Sequence, residues 1–163
     1  MLLLDTDVMI DLLRDYFGNV TFDFCRGRPR CLPCSGDHAG SPLHANLTLP
    51  NYPSAIKWIS ANNEEIVLPG YVVMELVQGC KSKAEQERLE RALGAYAIAW
   101  SSPQICDEAL SVFARFYLSH NVGIFDALIG QLAVSMNTPL HTFNQKHYAA
   151  IPKLKTVQPY QKD

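Results

Sequence analysis

The stretch Met1–Asp15, MLLLDTDVMIDLLRD, decides how the rest of the chain is read. Its apolar opening, Met1 to Leu4, stops abruptly at Asp5. A short run that is apolar at every position suits a central parallel strand covered on both faces. From Val8 onward the spacing turns helical. Val8, Leu12 and Tyr16 share one side, with Ile10, Leu13 and Phe17 nearby, and Asp11, Arg14 and Asp15 are expected to face outward. A buried strand therefore hands over to a helix across Asp5-Thr6-Asp7. Two readings follow: Thr6 or Asp7 caps the helix, or Asp5 begins a metal site.

The same alternation continues downstream. PSAIKWISANN reads as a helix with Pro53 in its first turn and Ile56 and Ile59 at helical spacing. EIVLP reads as a short buried strand stopped by Pro69, and GYVVMELVQGC as a helix ending near Gly79. KSKAEQERLERALGAY is a charged helix with Leu89 and Leu93 on its inner face. AIAW is a third strand. SPQICDEALSVFARFYLSH carries a cap, a first-turn proline and a long apolar stripe. GIFDALIGQLAVSMN is apolar nearly throughout and is expected to be a buried helix. PLHT makes a fourth strand and LKTV a fifth at the edge. Short apolar strands alternating with helices predict an α/β fold, a three-layer α/β/α sandwich around a central parallel sheet of four to five strands.

Composition narrows the function classes. The chain has 163 residues, 48% of them hydrophobic, enough for a sizeable core in one domain. Its formal net charge of −2 does not suit nucleic-acid binding through bulk positive charge, although a metal site can supply local positive charge instead. Five cysteines, an odd count, argue against a secreted disulfide scaffold. The apolar N-terminal run is too short for a signal peptide, and no stretch reaches the roughly 20 apolar residues of a membrane span. A cytoplasmic, reduced protein without a membrane partner is expected. Neither a Gly-rich phosphate loop nor a Walker motif occurs, and no nucleophile suggests a small-molecule enzyme.

Ligands of open parallel sheets bind outside the carboxyl ends of the strands. Polar residues there are Asp5 after the first strand, Glu75 in the helix after the second, Asp126 near the start of the most apolar helix, and Asn144 after PLHT. Each has a plain structural explanation: a turn, a solvent-facing acid, a first-turn acid favoured by the helix dipole. Together they say more. Acids set among apolar neighbours are costly unless paired or bound to a cation, and several in one cleft raise one another's pKa values. Hard oxygen donors suit Mg2+ or Mn2+.

Four segments in this order, LLLDTDVMIDLLR, VVMELVQGC, GIFDALIGQLA and LHTFNQKHYAAIPKL, resemble those of PIN-domain ribonucleases of the VapC toxin type. The likeness covers roughly residues 1–17 and 53–158. It implies a PIN-like fold, a Mg2+ or Mn2+ site held by Asp5, Glu75 and Asp126, and hydrolysis of RNA phosphodiesters with Asn144 among the catalytic groups. Thr6, Asp7 and His147 take supporting roles on this view, with Asp7 foremost a helix cap. The family often has a fourth acid in the closing segment, where this chain has Asn144 and His147. The resemblance also implies an RNA substrate, a cognate antitoxin and a homodimer. The alternative is a catalytically weakened PIN-like module acting through a protein partner or RNA.

From about residue 18 to 52 periodicity vanishes, and this stretch holds four of the ten prolines and three of the five cysteines. We read it as an irregular insertion in a single PIN-like domain spanning residues 1–163. Cys31-x-x-Cys34, with Cys25 and His38 nearby, invites a zinc site, but no second standard ligand pair is present. A loosely packed loop is the other reading, in which Arg26, Arg28 and Arg30 could meet RNA or a partner. Because the insertion contains none of the candidate acids, removing about residues 19–51 is expected to leave the fold intact.

Overall fold

The opening leucines form the centre of the molecule. In the computed structural model, which describes residues 1–17, 53–62 and 65–162, Leu2–Leu4 is strand β1, and Leu3 and Leu4 are wholly buried. Helix α1 (Thr6–Phe17) follows directly, then α2 (Pro53–Asn62), β2 (Ile66–Pro69), α3 (Gly70–Gly79) and α4 (Lys83–Leu93). The chain continues through β3 (Ala97–Ala99), α5 (Pro103–His120), α6 (Ile124–Ser135), β4 (Leu140–His141), the short α7 (Gln145–Tyr148) and β5 (Thr156–Val157). The sheet runs β3-β2-β1-β4-β5, and every neighbouring pair is parallel. Parallel neighbours need crossover connections, and helices supply them. The result is the expected α/β/α sandwich, with five strands. No described helix is long and apolar enough to cross a membrane.

This strand order has a consequence for function. After β1 the chain lays β2 and β3 to one side, and later β4 and β5 to the other. The order reverses at β1, and the crevice outside the carboxyl ends of β1 and β4 is the place where open α/β sheets take their ligands.

Local rules account for the helix starts. Ser82 and Ser102 cap α4 and α5, accepting from the amides of Glu85 at 3.2 Å and Ile105 at 3.4 Å. Pro103 occupies the first turn of α5, and Asn121 ends that helix in the left-handed region, with φ 54°. The inward positions of α4, Leu89 and Leu93, are buried as the charge pattern predicts. So is half of α6, whose Gly130 admits Ile151 so closely that an added Cβ would stand 2.6 Å from Ile151 Cδ1.

Two residue patterns depart from expectation. Asp11 does not face outward: it is buried, and its Oδ2 pairs with Lys162 Nζ at 2.5 Å. Helical spacing alone cannot reveal this, because the C-terminal segment returns across α1 and turns a surface position into an interior one. Lys162 also lies 4.1 Å from the centre of the Phe143 ring, and Tyr160 packs between Phe143 and Trp58. The second departure is α5. Its apolar stripe covers more than the fold buries: Ala109 is interior, whereas Leu110 is 63% and Leu118 91% exposed.

Candidate active site

Asp5 is the last residue before α1 and lies almost wholly inside the protein, 2% exposed. Its amide continues the ladder, donating to the His141 carbonyl at 2.9 Å. A buried carboxylate needs compensating donors, and three are present. The Thr6 amide at 2.7 Å and the Tyr148 hydroxyl at 2.9 Å both donate to Oδ1, and the Thr142 hydroxyl donates to Oδ2 at 2.8 Å. The register explains Thr142. Leu4 pairs with His141 across β1 and β4, so the next residues, Asp5 and Thr142, leave their strands side by side.

Thr6 connects this centre to a second helix. Its hydroxyl donates to Glu75 Oε2 on α3, so one residue touches two of the three predicted acids, through its amide and its hydroxyl. Glu75 is half-buried and so does not simply face solvent. Asp7 is the second residue of α1 and therefore sits inside the helix; a cap would precede it. Its carboxylate reaches the loop after β4, accepting from the Phe143 amide at 3.2 Å. Thr142 Oγ1 is also within 3.3 Å of Asp7, but a hydroxyl has one proton, and the shorter contact to Asp5 claims it. Thr142 Oγ1 in turn accepts from the Asn144 amide at 2.9 Å. These bonds fix the turn that presents Asn144, which is half-buried at the start of α7.

Asp126 is the third residue of α6, and its Oδ2 accepts from the Gly123 amide at 3.0 Å. The first-turn role foreseen for it is therefore real, and it coexists with a place near the site. His147 Nδ1 stands 4.0 Å from the same oxygen. Tyr148 bonds Asp5, and the charges of Asp126 and Glu75 also act on it. Its phenol is 1% exposed and is held well above its ordinary pKa by burial first, then by the negative charges of Asp5, Asp126 and Glu75. The hydroxyl consequently keeps its proton and remains a donor.

The donors are carboxylates and hydroxyls, the hard oxygens that Mg2+ or Mn2+ takes. Their chemistry fits such a cation, although among the described residues no three His, Cys, Asp or Glu side chains are grouped to hold a metal ion. The zinc candidates Cys25, Cys31, Cys34 and His38 lie outside the described residues.

Sequence reasoning missed Thr142 and Tyr148. Thr142 carried a usable signal, since it ends its strand as Asp5 ends β1. Tyr148 carried none, because its hydroxyl finds Asp5 only through the packing of α7. His141, beside them, is buried against Trp58, with Nδ1 3.3 Å from the Leu3 carbonyl. Burial lowers its pKa, opposed by that carbonyl.

Comparison with known proteins agrees with this fold. The PIN domain family model matches residues 47–153, and the chain belongs to that family, whose members are generally nucleases. The matched span contains Glu75, Asp126 and Asn144 but not β1, which the fold itself brings into register beside β4. No curated protein matches the chain. Among solved structures, it is similar to a toxin–antitoxin complex from Klebsiella pneumoniae, with 21% identity, 99% of each chain covered and a TM-score of 0.60. It is also similar to DNA-bound VapBC from Salmonella typhimurium, with 18% identity over 98% of this chain and 99% of that one, TM-score 0.63. FitAcB from Neisseria gonorrhoeae shares 16% identity over 98% of both chains, TM-score 0.60. At these identities the likeness is one of fold.

Proposed function

We propose that the chain is a divalent-cation-dependent endoribonuclease and the toxin of a toxin–antitoxin pair. The observation that carries this reading is that Thr6 joins Asp5 to Glu75, and Tyr148 bonds Asp5, at the sheet crevice of a PIN-domain chain. Asp5, Glu75 and Asp126 would hold Mg2+ or Mn2+. When bound, such a cation polarises a phosphodiester and makes a water more acidic.

The chain's own groups have separable tasks. Thr6, Thr142 and Tyr148 hold Asp5 in one orientation, and Thr6 also holds Glu75. Asp7 pins the loop that carries Asn144, through the Phe143 amide. Asn144 then offers its side chain to substrate or to an ordered water. His147, beside Asp126, is placed to meet a phosphate oxygen when protonated. The names of the similar structures, two of them toxin–antitoxin complexes or VapBC, support an antitoxin partner. A cytoplasmic homodimer with a single domain and an insertion at about 18–52 completes the proposal.

A second reading, a weakened binding module, draws on Asn144 and His147 standing where the family often has a fourth acid, and on the Gly123 amide engaging Asp126. RNA cleavage assays with Mg2+ or Mn2+ decide between them. On the first reading wild type cleaves, and Asp5→Asn and Asp126→Asn do not. Wild type without cleavage in either metal favours the second. Cleavage undiminished in both variants removes Asp5 and Asp126 from the site.

A further inference from the structure

Resting on the reading of the chain as a ribonuclease, we propose that the indole of Trp100 is a stacking platform for an unpaired nucleobase of single-stranded RNA, beside the bond that is cut. Trp100 follows β3 directly and is 56% exposed. Its backing is specific. A Cβ added at Gly70 would stand 2.4, 2.4 and 2.5 Å from Cε3, Cζ3 and Cη2 of the indole. A point nearly equidistant from three successive ring atoms lies on the axis of the ring, so Gly70 backs one face of the indole. Only a residue without a Cβ permits that approach. The Tyr71 ring meets the indole in a T-shaped contact, with centroids 5.9 Å and planes 81° apart. The indole is thus held from one face and by Tyr71, and its exposure belongs to the opposite face.

Position ties this ring to the candidate active site. Leu3 pairs with Val67 and Pro69 with Ala99, so Asp5, Pro69 and Ala99 stand level across the carboxyl ends of β1, β2 and β3. Strands two apart are separated by roughly 10 Å, which sets Trp100 to the side of Asp5, within reach of a nucleotide flanking the one being cut. The aromatic row also leads to a second acid: the Tyr71 ring lies 6.4 Å from that of Phe125, whose chain neighbour is Asp126. Charge gives stacking its importance. At a net charge of −2 the chain lacks the bulk positive field that grips RNA backbones. Stacking of a base on an aromatic side chain supplies affinity without that field. Only an unpaired, splayed base can lie on the indole, so the platform selects single-stranded over duplex RNA.

The test is fluorescence titration of the full chain in MgCl2 with a single-stranded oligoribonucleotide whose phosphorothioate linkages resist cleavage. Parallel titrations use an oligomer of the same length and linkage without bases, and thermal unfolding is the folding control. Wild type is expected to bind the single strand about tenfold more tightly than the baseless oligomer, the scale of one stacked base, with quenched indole emission. Trp100→Leu should lose this advantage and the quenching while binding the baseless oligomer as wild type does, and Trp100→Tyr should restore most of the affinity. Equal affinity of wild type and Trp100→Leu for the single strand overturns the platform, as does an equal loss with the baseless oligomer. Unaltered RNA affinity with a changed sedimentation mass in Trp100→Leu also overturns it, and assigns the ring to a contact between copies of the chain. The nuclease reading fails separately: wild type that shows the base-dependent advantage but cleaves unmodified RNA in neither Mg2+ nor Mn2+ keeps the platform and loses the enzyme. Should Trp100→Leu fail to fold, wild type alone still decides: no advantage over the baseless oligomer refutes stacking.

Discussion

Two regions of this protein break the usual partition of residues in opposite ways. At the carboxyl ends of β1 and β4, the polar residues Asp5, Thr6, His141 and Thr142 are all buried. Along α5 and the start of α6, Leu110, Tyr117, Leu118 and Ile124 are exposed, beside an apolar groove lined by Cys106, Ala109, Phe113 and Leu128. The first region is expensive to build, since each buried polar group needs a partner. It is bonded accordingly, with three donors on Asp5. The second costs little, because singly exposed apolar side chains are common on folded proteins. Misplaced polarity is therefore the better pointer to chemistry, and substitutions should affect the two regions very unequally.

The largest effect belongs to Asp5. Asp5→Asn keeps the shape and an acceptor for Thr6 and Tyr148 but removes the charge. RNA cleavage should fall by more than about a hundredfold, beyond the loss typical for a group that merely supports a ligand, while circular dichroism stays native. Retained cleavage would break the comparison at its centre.

Thr142→Val comes next. It withdraws a donor from a buried carboxylate, at a position that is itself wholly buried. A charge-assisted bond of this kind contributes about 2 kcal/mol, which chemical denaturation can read. A loss below about 0.5 kcal/mol would mean that water or another donor takes the place of Thr142.

His141 sharpens the comparison through pH. Its folded-state pKa is lowered, first by burial. The unfolded chain takes up the proton near pH 6.5, the folded protein only at lower pH. The stability linked to His141 is thus complete above about pH 6.5 and is lost as the pH falls from there toward the lowered folded value. His141→Gln should flatten that part of the acid limb in thermal melts. An unchanged pH slope would assign the acid sensitivity elsewhere.

The smallest effect is expected on the other region. Leu118→Ser, at a position 91% exposed, should change stability by no more than about 0.5 kcal/mol. A larger loss in the same denaturation experiment would show that Leu118 is covered in solution, and that the two regions differ less than the isolated chain suggests.

The fold was largely legible because it rests on short-range patterns. Uniformly apolar MLLL suited an interior strand, which Leu2–Leu4 forms, and the Ser-Pro start of α5 and the apolar run of α6 state their structure locally. Where the notice was weakest was at positions governed by distant chain. Asp11 read as an outward residue by helical spacing, and Lys162, 151 residues later by number, makes it an interior ion pair. Asp7 read foremost as a cap, and the loop after β4 gives its carboxylate a different task.

For the site, the sequence by itself determined which acids are available and which of them follow strands or begin helices: Asp5, Glu75 and Asp126. That much is chemistry and local position, and it needs no partner. Only the tertiary structure decided that β1 lies between β2 and β4, that Thr142 therefore stands beside Asp5, and that α7 delivers the Tyr148 hydroxyl to Oδ1. The physical reason is that strand order and helix packing are settled by burial summed over the whole chain, while a hydrogen bond between residues 5 and 148 exists only after that sum has placed them 2.9 Å apart.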